Sequence, residues 1–191
     1  AWYNDDNTYS VNQEGCYYSK YEARDLLKTF VKKFKGSDLD KKGVKVSMFE
    51  SGSMEGDDSS CAAYMDCILG RGPKYVFKNA KLRKYFKEVS MHSYWSGADT
   101  KKNAENYISD KYSKYSVAAT EYCQMTDDKN TGVYDLIAKE KNGTNGTSIK
   151  YGVAMANTIV DDLTIMNANE WDWWTACSYG TYTDGLIYLD E

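Results

Sequence analysis

The sequence predicts an α/β fold built on parallel strands. Two observations predict it. Four short runs rich in Val, Met, Ala and Ile alternate with longer segments of helical periodicity, and such alternation calls for parallel strands joined by helical crossovers. The second observation is continuity: the chain has one proline, Pro73, and no Pro/Ser-rich linker. Its 191 residues therefore read as one domain, 1–191, long enough for a substantial core and without a second domain.

The elements follow in order. Ser19-Lys-Tyr-Glu22 has the capping-box pattern, in which each side chain satisfies a backbone donor of the other. Ala23, Leu26, Leu27, Phe30, Val31 and Phe34 then recur at helical spacing and predict one apolar face over residues 19–36. Gly36 is a natural stop. Residues 44–49 read as the first strand, ending in Glu50. A helix from Ser59 to Leu69 follows, closed by Gly70 and Gly72, and a short one runs from Ala80 to Phe86. Val89 to His92 is the second strand, leading into Ser-Tyr-Trp95. Asp99 or Thr100 is placed to cap a helix running to Tyr112. The third strand is Ser116 to Thr120, small, partly β-branched and uncharged. Gly132 to Lys139 reads as helical, and Ser148 opens a longer helix to Leu163. The fourth strand lies near Ile165 to Ala168, ending in Asn-Glu-Trp-Asp-Trp-Trp174. Gly185 to Leu189 is a short terminal strand.

Composition narrows the function. With 24 basic against 28 acidic residues the net charge is −4, and no basic patch is dense enough to track phosphates, so nucleic acid is not an expected partner. No apolar run approaches the ~20 residues of a membrane-spanning helix, so no membrane partner is expected either. The five cysteines, Cys16, Cys61, Cys67, Cys123 and Cys177, leave at least one unpaired within the chain. They form no CxxC pair, and His92 is the only histidine, so neither a Cys/His metal site nor a cofactor is expected. Asn142-Gly-Thr144 and Asn145-Gly-Thr147 are sequons that accept glycans only in a eukaryotic secretory pathway. The 18 Tyr and 5 Trp exceed what a core needs. The surplus fits a surface that stacks on flat, hydroxylated ligands.

Ligands of parallel α/β folds meet the carboxyl ends of the strands. The first strand delivers Glu50, the second His92, Tyr94 and Trp95, the third Glu121 and Tyr122, the fourth Asn169, Trp171, Trp173 and Trp174. Glu121 taken alone reads as the first solvated residue after an apolar strand. Convergence of carboxylates, one His and several aromatics on one face gives it a functional reading instead. The chemistry that fits is glycoside cleavage. A sugar offers C–H faces to Trp and hydroxyls to Glu, Asn, His and Tyr, and cleavage needs two carboxylates.

At these residues a family resemblance becomes visible. Asn12-Gln-Glu-Gly-Cys-Tyr17, His92-Ser-Tyr-Trp95, Ala119-Thr-Glu-Tyr-Cys123, Trp171-Asp-Trp-Trp174 and Asp184-Gly-Leu-Ile-Tyr188 resemble, in this order, the latter part of the glycoside hydrolase family 30 barrel. The Gln-Glu-Gly-Cys segment is most similar to its endo-β-1,6-galactanase branch. The resemblance implies a (β/α)8 TIM-type barrel, of which this chain covers about the second half, strands five to eight. It implies a retaining enzyme, secreted or cell-surface, acting on β-linked polysaccharide, with β-1,6-galactan the best match. Glu121 matches the family's nucleophile at the end of the seventh strand. His92, Tyr94 and Trp95 match the end of the sixth, and Trp171 and Trp174 the aromatic wall at the eighth. The family's acid/base, a Glu in Asn-Glu-Pro at the fourth strand, has no counterpart here; its position falls upstream of Ala1. The enzyme this implies requires the missing N-terminal half of the barrel, and the fragment alone is expected to be inactive.

Among the other carboxylates, Glu50 is the best internal substitute for the acid, yet a bracing or substrate-contacting role suits it better. Glu14 sits where it could touch substrate at the rim. Glu170 should point away from the face that Trp171 covers. Three Trp within four positions cannot share one side of a strand, so at least one packs under a helix. Cys123, beside Glu121, reads as a small buried residue rather than a thiol nucleophile. A reading from another class is a non-catalytic carbohydrate-binding protein that keeps the aromatic wall and lacks the acid. A four-stranded half-barrel should be open at its first and fourth strands and expose an apolar inner face.

Overall fold

A computed structural model describes residues 18–54, 61–70, 84–124, 149–179 and 184–189. The elements are α1 (Lys20–Phe34), α2 (Asp38–Lys41), β1 (Val46–Ser51), α3 (Cys61–Leu69), β2 (Phe86–His92), α4 (Ala98–Tyr112), β3 (Ser116–Glu121), α5 (Ile149–Thr164), β4 (Ala168–Trp171), β5 (Cys177–Tyr179) and β6 (Ile187–Leu189). Strands β1 to β4 form one parallel sheet in chain order, with β1 and β4 at its edges among the described residues. Helices and parallel strands thus alternate as the sequence predicts. The expected segments 12–17 and 132–139, Glu14, Pro73 and both sequons lie outside the described residues.

Local chemistry explains where the elements begin. Ser19 Oγ accepts from Glu22 N at 3.3 Å while Ser19 N donates to Glu22 Oε2 at 2.9 Å, which completes the capping box of α1. Gly36, at φ 80°, ends that helix in the left-handed region. The N-cap of α4 is Gly97, without a side-chain bond, rather than Asp99 or Thr100. The helix expected over 80–86 does not include its last residues: 84 and 85 form a turn, and Phe86 pairs with Val46 as the first residue of β2. Residues 165–167 are not strand either. α5 runs to Thr164, Asn167 turns the chain at φ 55°, and β4 starts at Ala168 in register with Val117. The terminal strand is shorter than expected and has a partner that the sequence did not announce: β6 pairs in parallel with β5 in a separate two-stranded sheet.

The core lies between the sheet and its helices. Val31 and Phe34 of α1, Met65 and Ile68 of α3, and Ile108 of α4 pack on Val89, Met91, Val117 and Ala119. Each such apolar side chain contributes about 1.5–3 kcal/mol by leaving water. Leu26 and Phe30 depart from the predicted face and are exposed. The opposite face of the sheet also departs from expectation. Strand alternation puts Glu88, Ser90 and His92 there, all buried, with Thr120 beside them. This face is polar, not apolar, and it leads upward into the strand ends.

Candidate functional site

Parallel pairing brings the ends of β1, β2 and β3 together. His92 pairs with Glu121 across the β2–β3 ladder, one residue past a register shift, and that irregularity aims both side chains at one place. Tyr94 Oη donates to Glu121 Oε1 at 3.0 Å. The buried ring of Tyr94 raises its hydroxyl pKa through lost solvation first and then through Cys123 and Glu121, so the phenol stays protonated and remains a donor. His92 Nδ1 faces the same Oε1 at 3.8 Å, beyond hydrogen-bond length.

On its other side His92 is anchored. Its Nε2 lies 3.1 Å from Glu50 Oε2, which also accepts from Thr120 Oγ1 at 2.9 Å. These bonds hold Glu50 ionised with a pKa of about 2, the His92 bond being the largest cause and the Ser90 and Thr120 bonds adding to it against the opposing effect of burial. An ionised carboxylate can only accept, so Nε2 carries the hydrogen. Glu50 sits at φ 59° and Trp95 at φ 52°. Positive φ in such residues costs on the order of 1–3 kcal/mol and clusters at functional sites.

The aromatic residues form one assembly. Tyr122, fully buried, has its ring 5.6 Å from Tyr94, 6.4 Å from Trp171 and 6.1 Å from Trp173. Trp95 leans on Tyr94 at 5.7 Å. Of the three clustered tryptophans, Trp171 is the one tied to a helix, donating Nε1 to Asp162 Oδ2 of α5 at 2.9 Å. Trp173 donates to the Asp184 carbonyl at 2.7 Å. Trp174 is 54% exposed. Glu170, exposed, pairs with Lys87 at 3.3 Å, on the side away from this assembly's anchor on α5. Cys123 lies 3.5 Å from Tyr94 Oη, buried, its thiol pushed up to about 11 by burial.

Sequence reasoning therefore names the residues that meet here: Glu50, His92, Tyr94, Trp95 and Glu121, with Trp171 and Trp174 alongside. It missed those that brace them. Ser90 and Asp162 carry no motif, Thr120 lies in the Ala119–Cys123 motif with no role assigned to it, and only three-dimensional pairing reveals what they brace. Asp172, just past β4, was also passed over; burial and the charges of Glu170, Glu50 and Glu88 raise its pKa. No group of three or more His, Cys, Asp or Glu able to hold a metal occurs among the described residues.

The model of the O-glycosyl hydrolase family 30 matches residues 2–188. A crystal structure described as a conserved exported protein from Bacteroides fragilis is similar in fold, with a TM-score of 0.59 and 24% identity, covering 87% of this chain and 34% of that one. The chain thus spans about a third of the length of that protein. No curated protein matches it.

Proposed function

The chain belongs to O-glycosyl hydrolase family 30, and we propose that it is the nucleophile-bearing part of a retaining glycoside hydrolase acting on β-linked polysaccharide, β-1,6-galactan before others. In this reading β1–β4 are strands five to eight of a (β/α)8 barrel, residues 1–191 are one partial barrel domain, and the remaining strands come from chain N-terminal to it. The sheet order, with β1 and β4 at its edges among the described residues, supports that assignment. A secreted or cell-surface location goes with such a substrate.

The observation that carries the proposal is the 3.0 Å bond from Tyr94 to Glu121 at the mouth of adjacent parallel strands. Glu121 attacks the anomeric carbon, and the bond to the leaving oxygen breaks as an acid protonates that oxygen. The glycosyl-enzyme ester is then hydrolysed by water that the same acid, now a base, deprotonates. Tyr94 orients the carboxylate and favours its charged form. The acid/base comes from the missing half and stands roughly 5 Å from Glu121. Glu50 does not serve: at a pKa of about 2 it holds no proton to give at neutral pH. Trp174 and Trp95 offer ring faces to the sugar.

The same property of Glu50 favours a second reading. Without an acid from elsewhere the cleft binds carbohydrate and does not cut it. Hydrolysis of β-1,6-galactan, β-1,6-glucan and glucuronoxylan by the full-length protein decides between them, with the product anomer followed by NMR. Retention of configuration and loss of turnover in Glu121→Gln are expected. Binding without cleavage supports the carbohydrate-binding protein, and near-normal turnover in Glu121→Gln removes Glu121 from the mechanism.

A further inference from the structure

Lys101 and Asp162 form an ion pair away from the site, Nζ to Oδ1 at 2.9 Å, with side chains 2% and 0% exposed. Lys101 lies in the first turns of α4 and Asp162 near the end of α5. The second carboxylate oxygen, Oδ2, accepts twice: from Ser93 Oγ at 2.6 Å and from Trp171 Nε1 at 2.9 Å.

Packing alone does not account for this pair. Removing two charges from water is costly, and well-packed apolar residues of similar volume commonly serve stability as well or better. What an apolar pair lacks is an atom that holds two donors at once. Here the donors come from the ends of two strands that are not neighbours in the sheet, β2 and β4. Ser93 lies between His92 and Tyr94, and its backbone N–H donates to the Glu121 carbonyl at 3.3 Å. Trp171 ends β4, its ring 6.1 Å from that of Trp173. One oxygen thereby ties the segment that carries Tyr94 to the segment that carries the tryptophans.

We infer that Asp162, charge-balanced by Lys101, is a positioning residue for the Glu121 site: through Ser93 and Trp171 it holds the segment that carries Tyr94 and the segment that carries the tryptophans in place around buried Tyr122, and with them the Tyr94 hydroxyl that bonds Glu121. That a sugar binds beside these residues rests on the glycosidase reading; the bonds that tie the two segments to Asp162 do not.

The test uses the full-length protein labelled with 15N-tryptophan, the Trp171 indole signal being assigned with Trp171→Phe. Single substitutions would leave a buried charge unpaired, so the pair is changed together, as Lys101→Met with Asp162→Leu and as Lys101→Met with Asp162→Asn. In the leucine variant the Trp171 indole N–H resonance should move upfield, and affinity for β-1,6-galacto-oligosaccharide should fall roughly tenfold or more, the loss of about one charge-assisted hydrogen bond. The asparagine variant keeps an accepting oxygen and should recover part of both. Wild-type affinity in the leucine variant overturns the inference, whether or not the resonance moves. Ser93→Ala removes one donor and no charge. If the double variants do not fold, this variant decides: affinity must still drop, and an unchanged value overturns the inference. If the unaltered full-length protein binds no saccharide, the glycosidase reading fails. The positioning claim then stands or falls on the indole signal and the backbone amide signals of 93–96, which must shift in the leucine variant.

Discussion

Glu50→Gln probes the anchor behind the site. Glu50 has a pKa of about 2 instead of 4.5, and each pKa unit corresponds to about 1.4 kcal/mol. The full shift would amount to roughly 3 kcal/mol, but the side chain is 43% exposed, so solvent screening reduces the contribution to about 1 kcal/mol. The sign follows from the direction. The folded pKa is depressed, so this stability is fully present above the unfolded value and is lost as pH falls from about 4.5 toward 2. Near pH 3 about two-fifths of it remains. Glu50→Gln should therefore lower the melting temperature at pH 7 by about 2–4 °C and by progressively less below pH 4.5, the two melting curves converging near pH 2. The assay is a thermal melt by circular dichroism at half-unit pH steps, both proteins in the same salt. A constant difference across that range would refute the claim that the ionised carboxylate anchors His92. In the complete enzyme the same change frees the His92 ring, and kcat/KM should fall on the order of tenfold to a hundredfold through misplacement alone.

Three shorter predictions concern neighbouring groups. Tyr94→Phe removes the donor to Glu121, a bond to a charged group worth roughly 1.5–3 kcal/mol; turnover of the complete enzyme should drop by one to two orders of magnitude, and an unchanged kcat would show that the bond is idle. Trp174→Ala should weaken oligosaccharide binding measured by calorimetry at least tenfold, by analogy with other stacking aromatics, while the melting temperature stays within a degree or two; the reverse pattern would make Trp174 a packing residue. Alkylation followed by peptide mass spectrometry at pH 8 should label exposed Cys177 well before Cys123, whose buried thiol is pushed up to about 11; equal rates would contradict that burial.

The sheet was legible in the sequence because a strand buried on its helix side needs Val89, Met91, Val117 and Ala119 whatever lies around it. Glu121 alone reads as a solvated strand end; it stood out because the neighbouring strands end in Glu50, His92 and Tyr94 at the same edge of the sheet. Strand limits were less so: Ile165 and Met166 have strand-like side chains, and only the pairing of Ala168 with Val117 fixes where β4 starts. Periodicity also marks an apolar stripe without saying which way it faces. On α5, Ile149, Val153, Val160 and Leu163 are exposed, while Tyr151, Ala154, Thr158 and Asp162 are buried. A reader of the sequence would turn that helix over.

The reason lies in distance along the chain. Thr120 reaches Glu50 across 70 residues, and Ser93 reaches Asp162 across 69. A lone Asp or Lys in a helix reads as solvated, since burying it unpaired is prohibitive; nothing local to Asp162 announces that Lys101, Ser93 and Trp171 all arrive there. The residues proposed to touch a substrate sit at strand ends, where the fold itself points to them. Those that hold them in place are chosen by mutual satisfaction of buried polar groups, a condition that involves four separate segments of the chain at once. Substitutions at Asp162 or Lys101 should therefore tolerate each other's loss better than they tolerate being made singly, a coupling that a double-mutant cycle on melting temperature would reveal.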